Sequence, residues 1–181
     1  MKSCYLFTVL FFIAALISQP SFSDEVLVSW GGGSQPGGVQ SNRQFGLDYS
    51  FLEAPRSARS RLSLGVSFTR MTTDYPSAQS ISAYSVYPQL TLIPQAAELD
   101  GFFFYVRALG PSYISANSLG ERQQDNHFSF QAQLGVGYEF HLEAGGSLLM
   151  LLSRKHFSNA NLFDKNDGID LPLVLSLGLR F

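Results

Sequence analysis

From His127 to Leu142 the sequence alternates without a break. Phe128, Phe130, Ala132, Leu134, Val136, Tyr138, Phe140 and Leu142 oppose His127, Ser129, Gln131, Gln133, Gly135, Gly137, Glu139 and His141. A period of two places successive side chains on opposite faces of a strand, whereas a helix needs a period near 3.6. The same alternation runs through 42–52, where Arg43, Phe45, Leu47, Tyr49 and Phe51 share a face, and through 61–71, with Leu62, Leu64, Val66 and Phe68 opposite Ser63, Gly65, Ser67 and Thr69. Looser alternation marks 25–32, 80–93, 101–114, 146–158 and 170–181. Eight strands follow. Between them lie turn-like stretches: GGSQPGGVQ, EAPRSARS, TTDYPSAQ, PQAAELD, SANSLGERQQDN, EAGG and a final Asn/Asp/Gly-rich loop.

Several of these segments reach the 9–11 residues of a tilted transmembrane strand. Charged residues make up only 14% of the chain, against roughly a quarter in soluble domains. One apolar and one polar face per strand is the pattern of an outer-membrane barrel, with lipid outside and polar side chains within. A soluble barrel would turn the apolar face inward and leave a thin exterior of Gly, Ser and Gln, so the fold class read here is all-β, an eight-stranded antiparallel transmembrane β-barrel. Eight strands enclose a space that side chains fill. Asp48, Arg107, Gln131, Gln133, Glu139 and Lys155 are expected to pair inside it. In the last strand Leu171, Leu173, Leu175, Leu177, Leu179 and Phe181 share the lipid-facing parity, and the terminal aromatic resembles the assembly signal of bacterial outer-membrane proteins.

The N-terminal stretch MKSCYLFTVLFFIAALISQPSFS reads as a secretory signal peptide: Lys2, an apolar run from Cys4 to Ile17, then small residues around Ser21-Phe22-Ser23. Cleavage after Ser23 leaves 24–181 as a single barrel domain. The 12 basic residues then become 11 against 14 acidic ones, a formal charge of −3, with no basic footprint for nucleic acid. The remaining chain has no cysteine and therefore no disulfide framework. No metal-ligand spacing appears, and no cofactor is called for.

Chemistry concentrates near the C-terminus, in KHFSNANLFDKNDGID, residues 155–170. With both chain ends on the periplasmic side, the loop after the seventh segment faces outward. Along 146–158 the even positions Leu148, Met150, Leu152, Arg154, His156 and Ser158 share a face, assigned to lipid. Residues i and i+2 of a strand stand ~6.6 Å apart at Cα, a gap an imidazole can bridge to take a serine's proton. A carboxylate on the other ring nitrogen fixes the tautomer and stabilises the imidazolium; Asp170 is the candidate. Asn159, Asn161 and Asn166 offer oxyanion donors, and Arg154 can snorkel to head groups or meet a phosphate. By itself His-x-Ser is a weak signal, and Asp164, Asn166, Asp167 and Gly168 also read as turn formers.

At these residues the chain resembles the lipid A 3-O-deacylases of Gram-negative outer membranes, the PagL-type enzymes. Their motif is His-aromatic-Ser-Asn-Ala followed by Asn-Asp-Gly-Ile and a catalytic Glu. Here it stands as His156-Phe157-Ser158-Asn159-Ala160 and Asn166-Asp167-Gly168-Ile169-Asp170. The resemblance implies hydrolysis of the ester holding the 3-hydroxyacyl chain at position 3 of lipid A, with His156 as general base, Ser158 as nucleophile, Asp170 orienting His156 and Asn166 near the oxyanion. It places the active site on the outer wall of a bacterial outer-membrane barrel, facing the outer leaflet. Lipopolysaccharide would be the substrate, outer-membrane lipid the surroundings, and a homodimer remains open. Two departures stand out: Asp170 is one methylene shorter than the family's Glu, and Asn161 replaces a family Gly. Asp170 also has even parity in a strand whose lipid-facing residues are odd, so a bulge near Pro172 is required to turn it outward. The alternatives are a non-enzymatic barrel for adhesion or membrane integrity, its outer loop GERQQDN (120–126) carrying the binding, and an esterase of another membrane lipid.

Overall fold

The computed structural model describes residues 24–143 and 145–181, and the expected signal peptide lies outside them. The eight expected strands form β1 (Glu25–Ser34), β2 (Ser41–Ser57), β3 (Ser60–Thr73), β4 (Ser80–Leu92), β5 (Phe102–Ile114), β8 (Phe128–His141), β9 (Ser147–Ser158) and β10 (Ile169–Arg180). A two-residue hairpin, β6 (Ser118–Leu119) with β7 (Arg122–Gln123), sits inside the loop between β5 and β8. The eight long strands close on themselves in the order β1-β10-β9-β8-β5-β4-β3-β2. Pairing of β1 with β10 from Glu25↔Arg180 to Gly32↔Leu173 makes the seam, which Asp24 and Phe181 extend by exchanging backbone hydrogen bonds of 3.2 and 3.0 Å. Closure satisfies every ladder and removes the edge strands. Among the described residues no helix is long and apolar enough to cross a membrane; the strands are the spanning elements.

The alternation read from the sequence separates outside from inside. Phe45, Leu47, Tyr49, Val66, Leu134, Val136, Met150 and Leu152 are exposed on the outer wall, while Ser67, Thr69, Gln131, Gln133, Leu149, Leu151 and Ser153 are buried within. EAPRSARS is less of a turn than its composition suggests. Strand β2 runs through it to Ser57 and pairs Ser57 with Ser60, leaving two residues to reverse the chain.

The lumen is filled in three tiers. At the short-turn end Leu27, Phe103, Tyr105, Leu149 and Leu151 pack together, and at the loop end Met71, Ile81, Ala83, Ile114, Leu119, Phe157, Ile169, Leu171 and Val174 do. Between them lies a polar layer. Arg107 donates to Asp48 Oδ2 at 2.5 Å, to Gln89 Oε1 at 2.8 Å and to Gln133 Oε1 at 3.2 Å, and its guanidinium lies 3.8 Å above the Tyr87 ring. Lys155 donates to Thr69 Oγ1 at 3.2 Å. The expected pairing is present, and it closes the interior to passage. Glu139 takes a different place: it lies at the short-turn end and joins Arg61 and Arg180 there.

One strand breaks the alternation. In β10, Asp170 pairs with His156 and Leu171 with Lys155, but Val174 pairs with Ser153. Pro172 and Leu173 therefore oppose the single residue Arg154, the two-against-one count of a β-bulge. Proline fits there because the extra residue needs no N–H for the ladder. Leu173, Leu177 and Leu179 are exposed outside the bulge, as expected. Leu171 is not: it is fully buried in the loop-end cluster, a correction to its lipid-facing assignment that follows from the one-residue slip. The neighbouring strand is adapted to the bulge. Gly31, Gly32 and Gly33 have φ of 150°, 149° and 141°, a region open only to glycine. A Cβ on Gly31 or Gly32 would collide with backbone carbonyls, that of Leu173 in the first case.

The buried Arg107–Asp48 pair yields a stability prediction. Removing one partner strands an ion in the lumen, so Asp48→Ala should cost about 3–5 kcal/mol, and replacing both with neutral residues of similar size should cost less. Urea titration of the detergent-folded barrel, read by the folded and unfolded gel bands, checks the order of the two variants.

Candidate active site

The loop end is a single stitched cap. Val39 N–H donates to Glu121 Oε1 (2.9 Å), Glu121 N–H to Gln40 Oε1 (2.8 Å), Gly120 N–H to the Ala78 carbonyl (2.9 Å), and Gln123 N–H to Asp167 Oδ2 (2.8 Å). Lys165 Nζ reaches Gln123 Oε1 at 3.0 Å, and Gln124 makes a β-bridge with Asn166. The GERQQDN segment, which the non-enzymatic alternative would use for binding, fastens the loop from β9 to β10. That loop carries the candidate site.

Strand parity projects Arg154, His156 and Ser158 onto the outer wall, with Lys155 and Phe157 buried between them. The bulge gives Asp170 the same face as His156, its direct cross-strand partner. Asp170 Oδ1 lies 3.2 Å from His156 Nδ1, and Arg154 donates to the same oxygen at 2.8 Å. The carboxylate is nearly enclosed, its side chain 12% exposed, while the imidazole is 37% exposed. Because Nδ1 faces the acid, Nε2 is the nitrogen left for a proton from the outer wall. Ser158 lies two residues farther along the same face. Among the described residues no hydrogen bond ties its hydroxyl to His156. Catalytic contacts are often long without substrate, and rotation about one side-chain torsion moves Oγ.

Gly168 shapes the other side of the ring. Its φ is 65°, and a Cβ there would stand 2.8 Å from His156 Cε1. The glycine in Asn-Asp-Gly-Ile therefore both turns the chain and leaves room for the imidazole.

The asparagines are mostly bound to one another. Asn159 N–H donates to Asn166 Oδ1 at 2.9 Å, Asn159 Nδ2 to the Lys165 carbonyl at 2.6 Å, and Asn166 Nδ2 to Asn161 Oδ1 at 2.8 Å. Asn159 is fully buried. This corrects its candidacy as an oxyanion or substrate donor, because its odd parity turns the side chain under the loop. Ala160 and Asn161 follow with φ of 54° and 57°, the left-handed conformation that asparagine tolerates, so Asn161 meets the need that the family's Gly would. Among the described residues the N–H groups of Ala160 and Asn161 have no hydrogen-bond acceptor.

Sequence reading missed Gln35. It lies in the loop after β1, 135 residues from Asp170, and donates from Nε2 to Asp170 Oδ2 at 3.1 Å. Nothing in the local pattern QPGGVQ signals that contact.

Among the described residues no three His, Cys, Asp or Glu side chains gather as a metal site. The arrangement on the wall is that of an acid, an imidazole and a hydroxyl. Gly168→Ala tests how closely the loop supports the ring. The added carbon would push the imidazole aside and add strain of about 1–3 kcal/mol at a positive φ; ester hydrolysis should fall roughly ten- to a hundredfold while the barrel still folds.

Among curated proteins none matches the chain. Solved structures share its fold, among them the following two. The first is described as the outer membrane enzyme PagL, with 18% identity, a TM-score of 0.59 and coverage of 85% of this chain and 97% of that one. The second is Neisserial surface protein A, NspA, with 17% identity, a TM-score of 0.54 and coverage of 90% and 98%. The likeness shows the fold that this chain shares with them, a closed antiparallel barrel. The family model described as lipid A 3-O-deacylase (PagL) matches residues 85–180, just over half of the chain and the whole of the site from Arg154 to Asp170. The chain belongs to the lipid A 3-O-deacylase family of outer-membrane ester hydrolases.

Proposed function

We propose that this protein removes the 3-hydroxyacyl chain from position 3 of lipid A by a serine-esterase mechanism in the outer leaflet. The observation that carries the reading is the His156–Asp170 contact of 3.2 Å on the outer wall, two residues from a hydroxyl on the same face. Lipid A presents its ester bonds at the boundary between acyl chains and sugar. The loop end of β9 lies at that level when the end of the barrel that carries the loops after β1, β3, β5 and β9 faces outward.

The chemistry follows from the positions. Ser158 Oγ attacks the ester carbonyl carbon as its proton passes to His156 Nε2. The carbonyl π electrons move to oxygen, and N–H groups of the 160–161 turn, with the Asn166 amide near the loop, are the candidate donors for that oxyanion. Asp170 stabilises the imidazolium through Nδ1–H. Collapse of the tetrahedral intermediate breaks the bond to the sugar's 3-oxygen, which takes the proton from His156 and leaves as a hydroxyl. Water, deprotonated by His156, then attacks the acyl-serine; the 3-hydroxy fatty acid departs and Ser158 regains its proton. Arg154, beside the acid and 58% exposed, adds positive charge at a height where lipid A carries phosphate.

Mass spectrometry of lipid A from cells expressing the protein tests the reaction. The wild-type chain should remove one 3-hydroxyacyl group, Ser158→Ala and His156→Ala should remove none, and Asp170→Asn should lower kcat by roughly 10³–10⁴. Intact lipid A in membranes that contain the folded wild-type barrel would refute the proposal. Deacylation of phospholipid in preference to lipid A would move the activity to another membrane lipid.

A further inference from the structure

We infer that Gln35 is a positioning residue of this esterase, clamping Asp170 from the loop after β1 so that a one-carbon acid reaches His156. The inference rests on the serine-esterase reading and adds a fourth, sequence-distant member to its machinery. Gln35 is 3% exposed and grips Asp170 twice. Its Nε2 donates to Oδ2 at 3.1 Å, and its Oε1 accepts the Asp170 backbone N–H at 3.0 Å.

The surroundings fix which way the amide points. Oε1 also accepts from Asn42 Nδ2 at 2.7 Å, and that Nδ2 donates to the Asp170 carbonyl at 3.1 Å. Asn42 is held in turn by Gln40, whose Nε2 donates to Asn42 Oδ1 at 2.8 Å and to the Leu119 carbonyl at 3.1 Å. A flipped Gln35 amide would set its NH₂ against two N–H donors, so only the orientation with Nε2 toward the carboxylate satisfies the network. With Oδ2 held by Gln35, Oδ1 is left to face His156 Nδ1 and Arg154. The rotation of a short side chain is thereby set from behind, and a carboxylate one methylene longer would overrun the same space.

Three variants in detergent-solubilised protein, assayed on purified lipid A, test this. Gln35→Glu has the same shape and keeps an acceptor for the two N–H groups but turns the donor into a carboxylate; kcat should fall roughly a hundredfold with KM little changed. Asp170→Glu should fall by at least tenfold because the longer acid meets Gln35. Gln35→Asn with Asp170→Glu returns one methylene to the space, and kcat should recover to within about threefold of wild type. Wild-type kcat in Gln35→Glu, or a paired variant no better than Asp170→Glu alone, would overturn the inference. Failure of the esterase reading would show separately, as activity that survives Ser158→Ala.

Discussion

One extra residue in β10 determines which way Asp170 faces, and with it whether the proposed triad can assemble. Side chains on a strand alternate strictly, so a carboxylate at position 170 and a leucine at 177 cannot face the same way in an unbroken ladder. The bulge at Pro172–Leu173 absorbs the odd residue. Below it Leu173, Leu177 and Leu179 meet lipid; above it Leu171 turns into the lumen and Asp170 turns out beside His156. The adjacent strand accommodates the bulge at Gly31, where a Cβ would collide with the Leu173 carbonyl, and Gly31, Gly32 and Gly33 all have backbone angles that glycine alone adopts readily. The glycine run near the N-terminus and the proline near the C-terminus meet at one place across the barrel seam.

The filled interior leaves the wall and the loops as the places for the proposed chemistry. Arg107, Asp48, Lys155 and the glutamines occupy the polar middle, and apolar clusters close both ends. On the proposed reading, a wall position sets Ser158 and His156 at the height of a lipid's ester. It also imposes a requirement: an acid facing lipid must be satisfied by the protein itself. Asp170 has Arg154, His156 and Gln35 around its two oxygens, which lets a largely enclosed carboxylate stay ionised at the membrane boundary.

Much of this was legible in the sequence, and the failures have physical causes. Period-two alternation located all eight long strands because one face meets lipid and the other meets buried polar groups. His156 and Ser158 could be assigned a face from Met150 and Leu152 alone. The odd parity of Leu171 and the even parity of Asp170 were in conflict on the page, and the conflict itself pointed to a bulge. Leu171 was nonetheless placed on the wrong side, since a bulge changes the meaning of every position beyond it. Asn159 was misjudged because donor chemistry says nothing about which side of the strand the amide occupies. Gln35 and the fastening contacts of the GERQQDN segment had no local signal for a different reason. Their roles come from loops meeting over the barrel mouth, contacts between residues as far as 135 positions apart that no local pattern encodes.

The account depends on the direction of side chains on either side of Pro172. Nitroxide labels placed singly at 170, 171, 173 and 174 of the bilayer-reconstituted barrel report that direction through collision with dissolved paramagnetic reagents. The label at 173 should be the most accessible, the label at 170 more accessible than that at 171, and those at 171 and 174 protected. An uninterrupted alternation, with 171 and 173 accessible and 170 and 174 protected, would return Asp170 to the lumen and contradict the account.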